Sequence, residues 1–415
     1  MVLNYVWLGF FISAFVAALV QTLMGDFSVF PRVMTALFDA AQTSFEIALA
    51  LTGMMALWLG FMRIGERAGV MDGFARGVEP VMRHLFPGVP RGHAAQGAMT
   101  MNISANLLGL DNAATPLGLK AMQELQALNP EPETATNAQI MFMVLNTAGL
   151  TLIPTSVIAI RQTLAIKQGV TGFNAADIFL PTLVVTAITL VVAIGSVAWV
   201  QRINLLRASL LIPLAVLTAV LGALSWWLAG LSAADASRWM GLIGAAAILS
   251  IVLLFLVAGA VRKVNVYDAF VDGAKGGFDV AVLIIPYLVA MLCAIAVFRA
   301  AGLLDWLMHG IAFGVAAAGL PTDFLPAVPV ALMKVLSGSG ARGLMVDVME
   351  HYGVASFPGE LAAIIQGSTE TTFYVLAVYF GSVGVKHVRH ALACALTADG
   401  VGLVAAVVVG YAFFK

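Results

Sequence analysis

The sequence predicts an all-α polytopic membrane protein made of two inverted-topology repeats, each carrying a re-entrant helical hairpin and a broken transmembrane helix. Three observations carry that expectation. The 415 residues are 61% hydrophobic and 10% charged, where a globular domain has roughly 25% charged residues. Apolar runs long enough to cross a bilayer return along the chain, and short residue patterns return at a fixed offset of 233 positions.

A bilayer crossing takes about 20 apolar residues. Runs of that kind lie at 3–24, 42–62, 137–160, 177–200, 208–231, 238–261, 280–298, 360–384 and 391–412, which predicts nine crossings. The first, from Val6 to Leu23, has no positively charged flank before it and is read as a retained helix, not a signal peptide. Two further apolar stretches, 94–126 and 324–352, are interrupted by Gly, Pro, Asn and Ser. Irregular backbone at membrane depth survives only where protein or a cavity shields it, so both are read as re-entrant hairpins. Cys293 and Cys394 fall in apolar runs without a CxxC pattern and are expected to be buried, inert thiols.

The repeat sets the domain organisation. Phe45-Glu46 matches Phe278-Asp279, and Ala68-Gly-Val-Met-Asp72 matches Ala301-Gly-Leu-Leu-Asp305 at the same offset. The chain therefore divides into a first repeat at 1–205, a connecting transmembrane helix at 206–232 and a second repeat at 233–415. Five predicted crossings separate equivalent points, and an odd number turns the second copy upside down. That is the inverted-repeat plan of secondary transporters, with a binding site near the midplane. Glu46 and Asp279 are expected to start their helices, where a carboxylate favours the positive dipole end. Lys and Arg test the topology, because cytoplasmic loops carry more of them. With the N-terminus inside and the C-terminus outside, thirteen fall on the cytoplasmic side and six outside, Arg161 among the latter. The expected location is the bacterial cytoplasmic (inner) membrane, with lipid as a partner.

Composition also excludes functions. A net charge of −1 and no basic tail leave no electrostatic footprint for nucleic acid. There is no HExxH, GxSxG or P-loop, so no enzyme activity is expected. The histidines His84, His93, His309, His351, His387 and His390 show no metal-ligand spacing, so no metal site is expected and they are read as solvated or interfacial.

Polar residues inside the apolar runs mark the candidate site. Gln366-Gly-Ser-Thr-Glu-Thr-Thr372 interrupts the run from Leu361 to Val385 and places Glu370 at mid-membrane depth. A charge there costs at least ~2.5–3.5 kcal/mol, and such residues usually face a protein interior or a water-filled path. Gly, Ser and Thr loosen the helix, and Gln366, Ser368, Thr369, Glu370 and Thr371 are read as the lining of a break. Asn146, Thr147, Thr151 and Pro154 are the corresponding break in the first repeat. The first hairpin tip supplies Asn102, Asn106, Asn112 and Thr115, with Gly109 for the reversal and Pro116 for the first turn of the returning helix. The second tip supplies Ser337, Ser339 and Arg342. Helix N-termini at both tips would aim backbone N–H groups at a polar or anionic ligand, and Arg342 could hold a carboxylate in bidentate geometry. Asp399 is a second intramembrane carboxylate whose partner the sequence does not name.

These same residues carry a family resemblance. Leu57-Trp-Leu-Gly60, the stretch Asn102 to Met122 and Leu152-Ile-Pro-Thr155 resemble spore maturation protein A. Ile285-Pro-Tyr-Leu-Val289, Ser337 to Gly343 and Ser368 to Ser382 resemble spore maturation protein B. Both belong to the nucleoside-recognition or gate group, which is similar to the concentrative nucleoside transporters. That kinship implies a substrate site at hairpin tips and unwound helices, an elevator-like motion, Na+ or H+ as coupling ion, and a homo-oligomer. The transporters' Gln-Thr-Glu-Ala-Pro hairpin motif falls on Asn112-Ala-Ala-Thr-Pro116, with Ala114 in place of the Glu and Asn112 in place of the Gln.

The expectation is a secondary-active transporter of a small polar or anionic solute: an organic acid, amino acid, heterocyclic carboxylate or nucleoside. The alternative is a non-transporting membrane receptor or scaffold in envelope or spore maturation.

Overall fold

In hydrocarbon every backbone N–H and C=O must find its partner within the segment, so apolar runs become helices. The computed structural model describes residues 2–108, 111–149, 151–152, 154–231 and 233–415. It describes the side chains of all of these except 2–4, 6, 111–113, 229, 233, 234, 237, 281 and 283. Helix α1 (Val2–Leu23) is followed by the long α2 (Val29–Arg67) and the amphipathic α3 (Val70–Leu85), which Gly69 opens at φ 70°. A helical hairpin, α4 (Ala94–Leu107) and α5 (Asp111–Gln126), comes next. A run of two shorter helices follows, α6 (Asn137–Thr147) and α7 (Thr155–Lys167), and then α8 (Phe179–Gln201) and α9 (Ala208–Ala229).

The succession then recurs. Helix α10 (Ala233–Val261) leads to the long α11 (Val266–Ala300) and the short α12 (Leu303–Ala317), opened by Gly302 at φ 76°. A 3-10 turn (Leu325–Ala327) enters a second hairpin, α13 (Val328–Leu336) and α14 (Gly338–Tyr352). Two short helices, α15 (Phe357–Ser368) and α16 (Thr372–Ser382), precede the closing α17 (Ala391–Phe414). Both expected hairpins form, with the first over 94–126. An isolated bridge between Thr134 and His387 is the β-type pairing found among the described residues.

Among the described residues seven helices are long and apolar enough to cross a membrane, where the sequence predicted nine crossings. Helix α1 runs 22 residues from Val2 to Leu23, and the part of it counted, Trp7–Leu23, is apolar but shorter. The run at 137–160 is broken, as expected: it divides between α6 and α7, where Gly149 takes a positive φ of 65° and Pro154 forms the N-cap of α7.

The expected crossings at 42–62 and 280–298 are the middles of α2 and α11. With 39 residues at about 1.5 Å each, α2 is ~58 Å long, so it outreaches the ~30 Å hydrocarbon core. The two long helices pack antiparallel. Arg32 Nε donates to the carbonyl of Ala300 at 3.1 Å near one end, and Arg63 Nε to Asp272 Oδ2 at 3.1 Å near the other. A Cβ on Gly273 would lie 2.4 Å from the Leu59 carbonyl, and one on Gly277 2.5 Å from the Ala56 nitrogen. Small residues at this spacing let membrane helices approach backbone to backbone. Glu46 and Asp279 consequently lie well inside α2 and α11 and not at their starts; Glu46 accepts from Gln42 Nε2 at 2.8 Å.

A further correction concerns Pro116, and the structure adds a detail at Arg161. Arg161, counted among the residues on the outer side of the membrane, is fully buried in α7, ion-paired with Asp177 and stacked 4.8 Å from the Phe173 ring. Pro116 is the sixth residue of α5 and not in its first turn. Cys293 and Cys394 are free and buried, as expected.

Helix α8 packs along α17, α15 lies on both, and α6 and α16 pack against the same layer. The broken runs are thereby held in the interior, where Phe142, Ala148, Ala363 and Ile364 have no exposure at all.

Candidate functional site

When a helix stops inside a membrane protein, its last carbonyls and the next helix's first N–H groups need new partners. The two broken runs supply them to each other. After Ser368 the chain is extended at Thr369 (φ −139°, ψ 165°), and α16 restarts from Thr371 (φ −84°, ψ 99°). The Glu370 N–H donates to the carbonyl of Thr147 at 3.0 Å. Gly149 lies so close that a Cβ there would meet Thr369 Cα at 2.8 Å and the Glu370 nitrogen at 2.9 Å. Thr186 Oγ1 of α8 donates to the carbonyl of Ser368 at 3.3 Å from the other side.

A cavity of about 230 Å3 opens at this crossing. Asn106, Thr115, Asn146, Thr151, Pro154, Arg342, Gln366 and Glu370 line it, all polar or break residues expected from the sequence. It also takes in Thr155 and Ser156 at the start of α7, Gly338 at the start of α14, and Tyr374 early in α16. Three helix N-termini thus border one space, and a helix N-terminus carries a partial positive charge. Lys334 and Arg342 add two cationic side chains against the one carboxylate of Glu370.

Behind the cavity wall lies an amide network. Asn106 Nδ2 donates to Asn146 Oδ1 at 2.8 Å, and Tyr379 Oη donates to the same oxygen at 3.1 Å. Asn102 Nδ2 donates to the Ala114 carbonyl at 2.8 Å and lies 3.3 Å from Tyr379 Oη. Asn146 Nδ2 is spent on the Phe142 carbonyl at 2.9 Å. The network ties the first hairpin to both broken runs and holds the Asn106 and Asn146 amides in fixed orientation. Among the described residues, Arg342 Nε and Gln366 Oε1 are buried without a hydrogen-bond partner.

Other expected site residues stand off the cavity. Asn102 and Thr147 are fully buried behind it. Ser337 caps α14 by accepting from the Gly340 N–H at 3.0 Å, and Ser339 Oγ lies 3.2 Å from its hydroxyl. Ser368 and Thr369 border a second, smaller space of about 20 Å3 shared with Lys334 and Asp399. Thr371 packs against Gly338. The side chain of Asn112, and Gly109, lie outside the described residues. Asp399 gains its partner here: Thr372 Oγ1 donates to its Oδ2 at 2.7 Å. Arg342 and Glu370 share the cavity, but the ion pairs among the described residues do not join them.

Sequence reasoning passed over Tyr379 and Lys334. An aromatic inside an apolar run reads as core packing, so Tyr379 gave no signal. Lys334 did, being an ionisable residue in the apolar segment Val328–Leu336, a class that marks functional sites.

The profile of the nucleoside recognition (Gate) family matches residues 48–164 and 281–386. The two stretches start 233 residues apart, the offset of the sequence repeat. Spore maturation protein B of Bacillus subtilis (strain 168) is 44% identical over 172 residues, 41% of this chain and 93% of that protein. Spore maturation protein A of the same organism is 36% identical over 186 residues, 45% of this chain and 89% of that protein. Inner membrane protein YjiG of Escherichia coli (strain K12) is 39% identical over 89 residues, 21% of this chain and 56% of that protein. The protein is a multi-pass, all-α membrane protein. It belongs to the nucleoside recognition (Gate) family, with spore maturation proteins A and B among its relatives.

Proposed function

We propose that the protein is a secondary-active transporter of a small polar or anionic solute, working by alternating access and coupled to an ion. The observation that carries this reading is the crossing of two broken helical runs at one cavity, stitched by the Glu370-to-Thr147 hydrogen bond. Discontinuous helices whose N-termini face a substrate are the recurring site of secondary transporters. Two cations, three helix N-termini and one carboxylate favour an anionic or strongly polar ligand: an organic acid, an amino acid, a heterocyclic carboxylate or a nucleoside. The family's description, nucleoside recognition, points the same way for the last of these.

The repeats would be 1–205 and 233–415, joined through 206–232, and the antiparallel packing of α2 on α11 supports opposite orientations in the membrane. The basic-residue asymmetry favours a cytoplasmic N-terminus and an external C-terminus, and the likeness to YjiG favours the inner membrane. A receptor or scaffold in envelope or spore maturation draws on the names of the relatives. It does not require two helix breaks meeting at a cavity.

The test is thermal unfolding of the purified full-length protein against nucleosides, amino acids and small carboxylates, with and without Na+. A ligand at 100 times its Kd adds about 2.7 kcal/mol of stability. The expected result is a hit that is lost in Arg342→Ala or Glu370→Gln. If no solute shifts the transition in either salt, the transport reading fails.

A further inference from the structure

Broken-helix transporters place their coupling cation against the C-terminal carbonyls of a half-helix and the unwound backbone beside it. In this protein that position is not vacant ground for an ion. Lys334 Nζ, on a side chain only 5% exposed, donates to the carbonyl of Gln366 at 3.0 Å, in the last turn of α15. A helix C-terminus carries partial negative charge and favours a cation. Asp399 of α17 borders the same small space as Lys334, and its Oδ2 accepts from the Thr372 hydroxyl at 2.7 Å. The space shared by Lys334, Asp399, Ser368 and Thr369 is about 20 Å3. That is room for about one water, which needs ~10–15 Å3, with the Lys334 side chain already placed at the Gln366 carbonyl.

We propose that the Lys334 ammonium is a built-in cation at the α15–α16 break, hydrogen-bonded to the Gln366 carbonyl and facing the space it shares with Asp399, in the place where a sodium ion would otherwise sit. The inference rests on the transport reading above and deepens it: of Na+ and H+, sodium is displaced. Lys334 borders both the small space and the large cavity, so the fixed charge also contributes to the positive field at the site. The other charged or ionisable groups around it are Arg342, Glu370, Tyr374 and Tyr379 in the large cavity and Asp399 in the small one.

The experiment compares thermal unfolding of the full-length protein in NaCl and in choline chloride at equal ionic strength. Wild type is expected to unfold at the same temperature in both. Lys334→Met, which removes the cation from the space shared with Asp399, is expected to lose stability in choline and regain part of it in Na+. The double variant Lys334→Met/Asp399→Asn is expected to be indifferent to the salt. A wild-type transition raised by Na+ over choline overturns the proposal, and so does a Lys334→Met transition equal in both salts. Should Lys334→Met not fold in either salt, the double variant decides: folded and indifferent to Na+ supports the pair, unfolded overturns it. A solute whose stabilisation requires Na+ defeats this inference while leaving transport standing. A sodium-indifferent wild type with no solute hit defeats transport alone.

Discussion

The N–H of Glu370 and the carbonyl of Thr147, 223 residues apart in sequence, meet at 3.0 Å. Neither group has a place in its own helix, since α6 ends at Thr147 and α16 begins two residues after Glu370. Each break therefore satisfies the other, and an unpaired buried backbone group costs about as much as a lost hydrogen bond. The site is a joint product of the two breaks, and damage to one should be felt at the other.

Gly149 is the most exposed point of that dependence. Alanine there would need a left-handed backbone and a Cβ 2.8 Å from Thr369 Cα, against backbone that cannot rotate away. Gly149→Ala is expected to cost about 1–3 kcal/mol, the usual range for overpacking. It should also weaken binding of any ligand found in the solute screen, although it touches no cavity side chain. Thermal unfolding and ligand titration read the two effects; an unchanged transition temperature would contradict the crossing described.

The amide network makes a second prediction. Asn146→Leu removes the oxygen that accepts from both Asn106 and Tyr379, leaving the buried Tyr379 hydroxyl without its acceptor at about 1–3 kcal/mol and freeing the half-buried Asn106 amide. Tyr379→Phe removes one donor and should cost less. The order of melting temperatures, wild type above Tyr379→Phe above Asn146→Leu, is the check.

Arg161 and Asp177 give a third. Replacing Asp177 with Ala strands a guanidinium that has no exposure, a loss of about 3–5 kcal/mol for a broken buried pair. Removing both charges, as in Arg161→Met/Asp177→Leu, is expected to recover most of that loss. Yield of folded protein by size-exclusion chromatography distinguishes the outcomes, and a double variant no better than Asp177→Ala would show that the pair is not what matters.

A fourth concerns the long helices. Gly277→Val would drive a side chain into Ala56, whose nitrogen is 2.5 Å from the ideal Cβ position. The expected result is separation of α2 from α11 and a lower transition temperature, while Gly9→Val, with nothing within 4 Å of its Cβ, should be nearly neutral. Equal effects at the two glycines would argue against close packing at Gly277.

Much of the architecture was legible residue by residue. The hairpin at 94–126 was visible in its Gly, Asn and Pro interruptions, and the break near Glu370 in a cluster of hydroxyls where a bilayer tolerates few polar groups. Eight of the lining residues, Arg342 and Gln366 among them, stood out because polarity inside an apolar run has few bland explanations. The break within 137–160 was legible in Asn146, Thr147, Thr151 and Pro154, while the left-handed backbone of Gly149 that turns the chain there gives no hydropathy signal. Glu46 and Asp279 were misplaced because hydropathy marks where a helix is apolar and not where it begins.

The sequence by itself determined that this is a helical membrane protein with two internal hairpins and polar interruptions, since solvation in a bilayer acts on each segment separately. Only the tertiary structure decided which interruptions meet. Lys334 beside Gln366, Tyr379 on Asn146, Thr372 on Asp399 and Arg161 buried on Asp177 are all pairings set by how helices pack. Packing depends on the shapes of several elements at once, and no single segment encodes it.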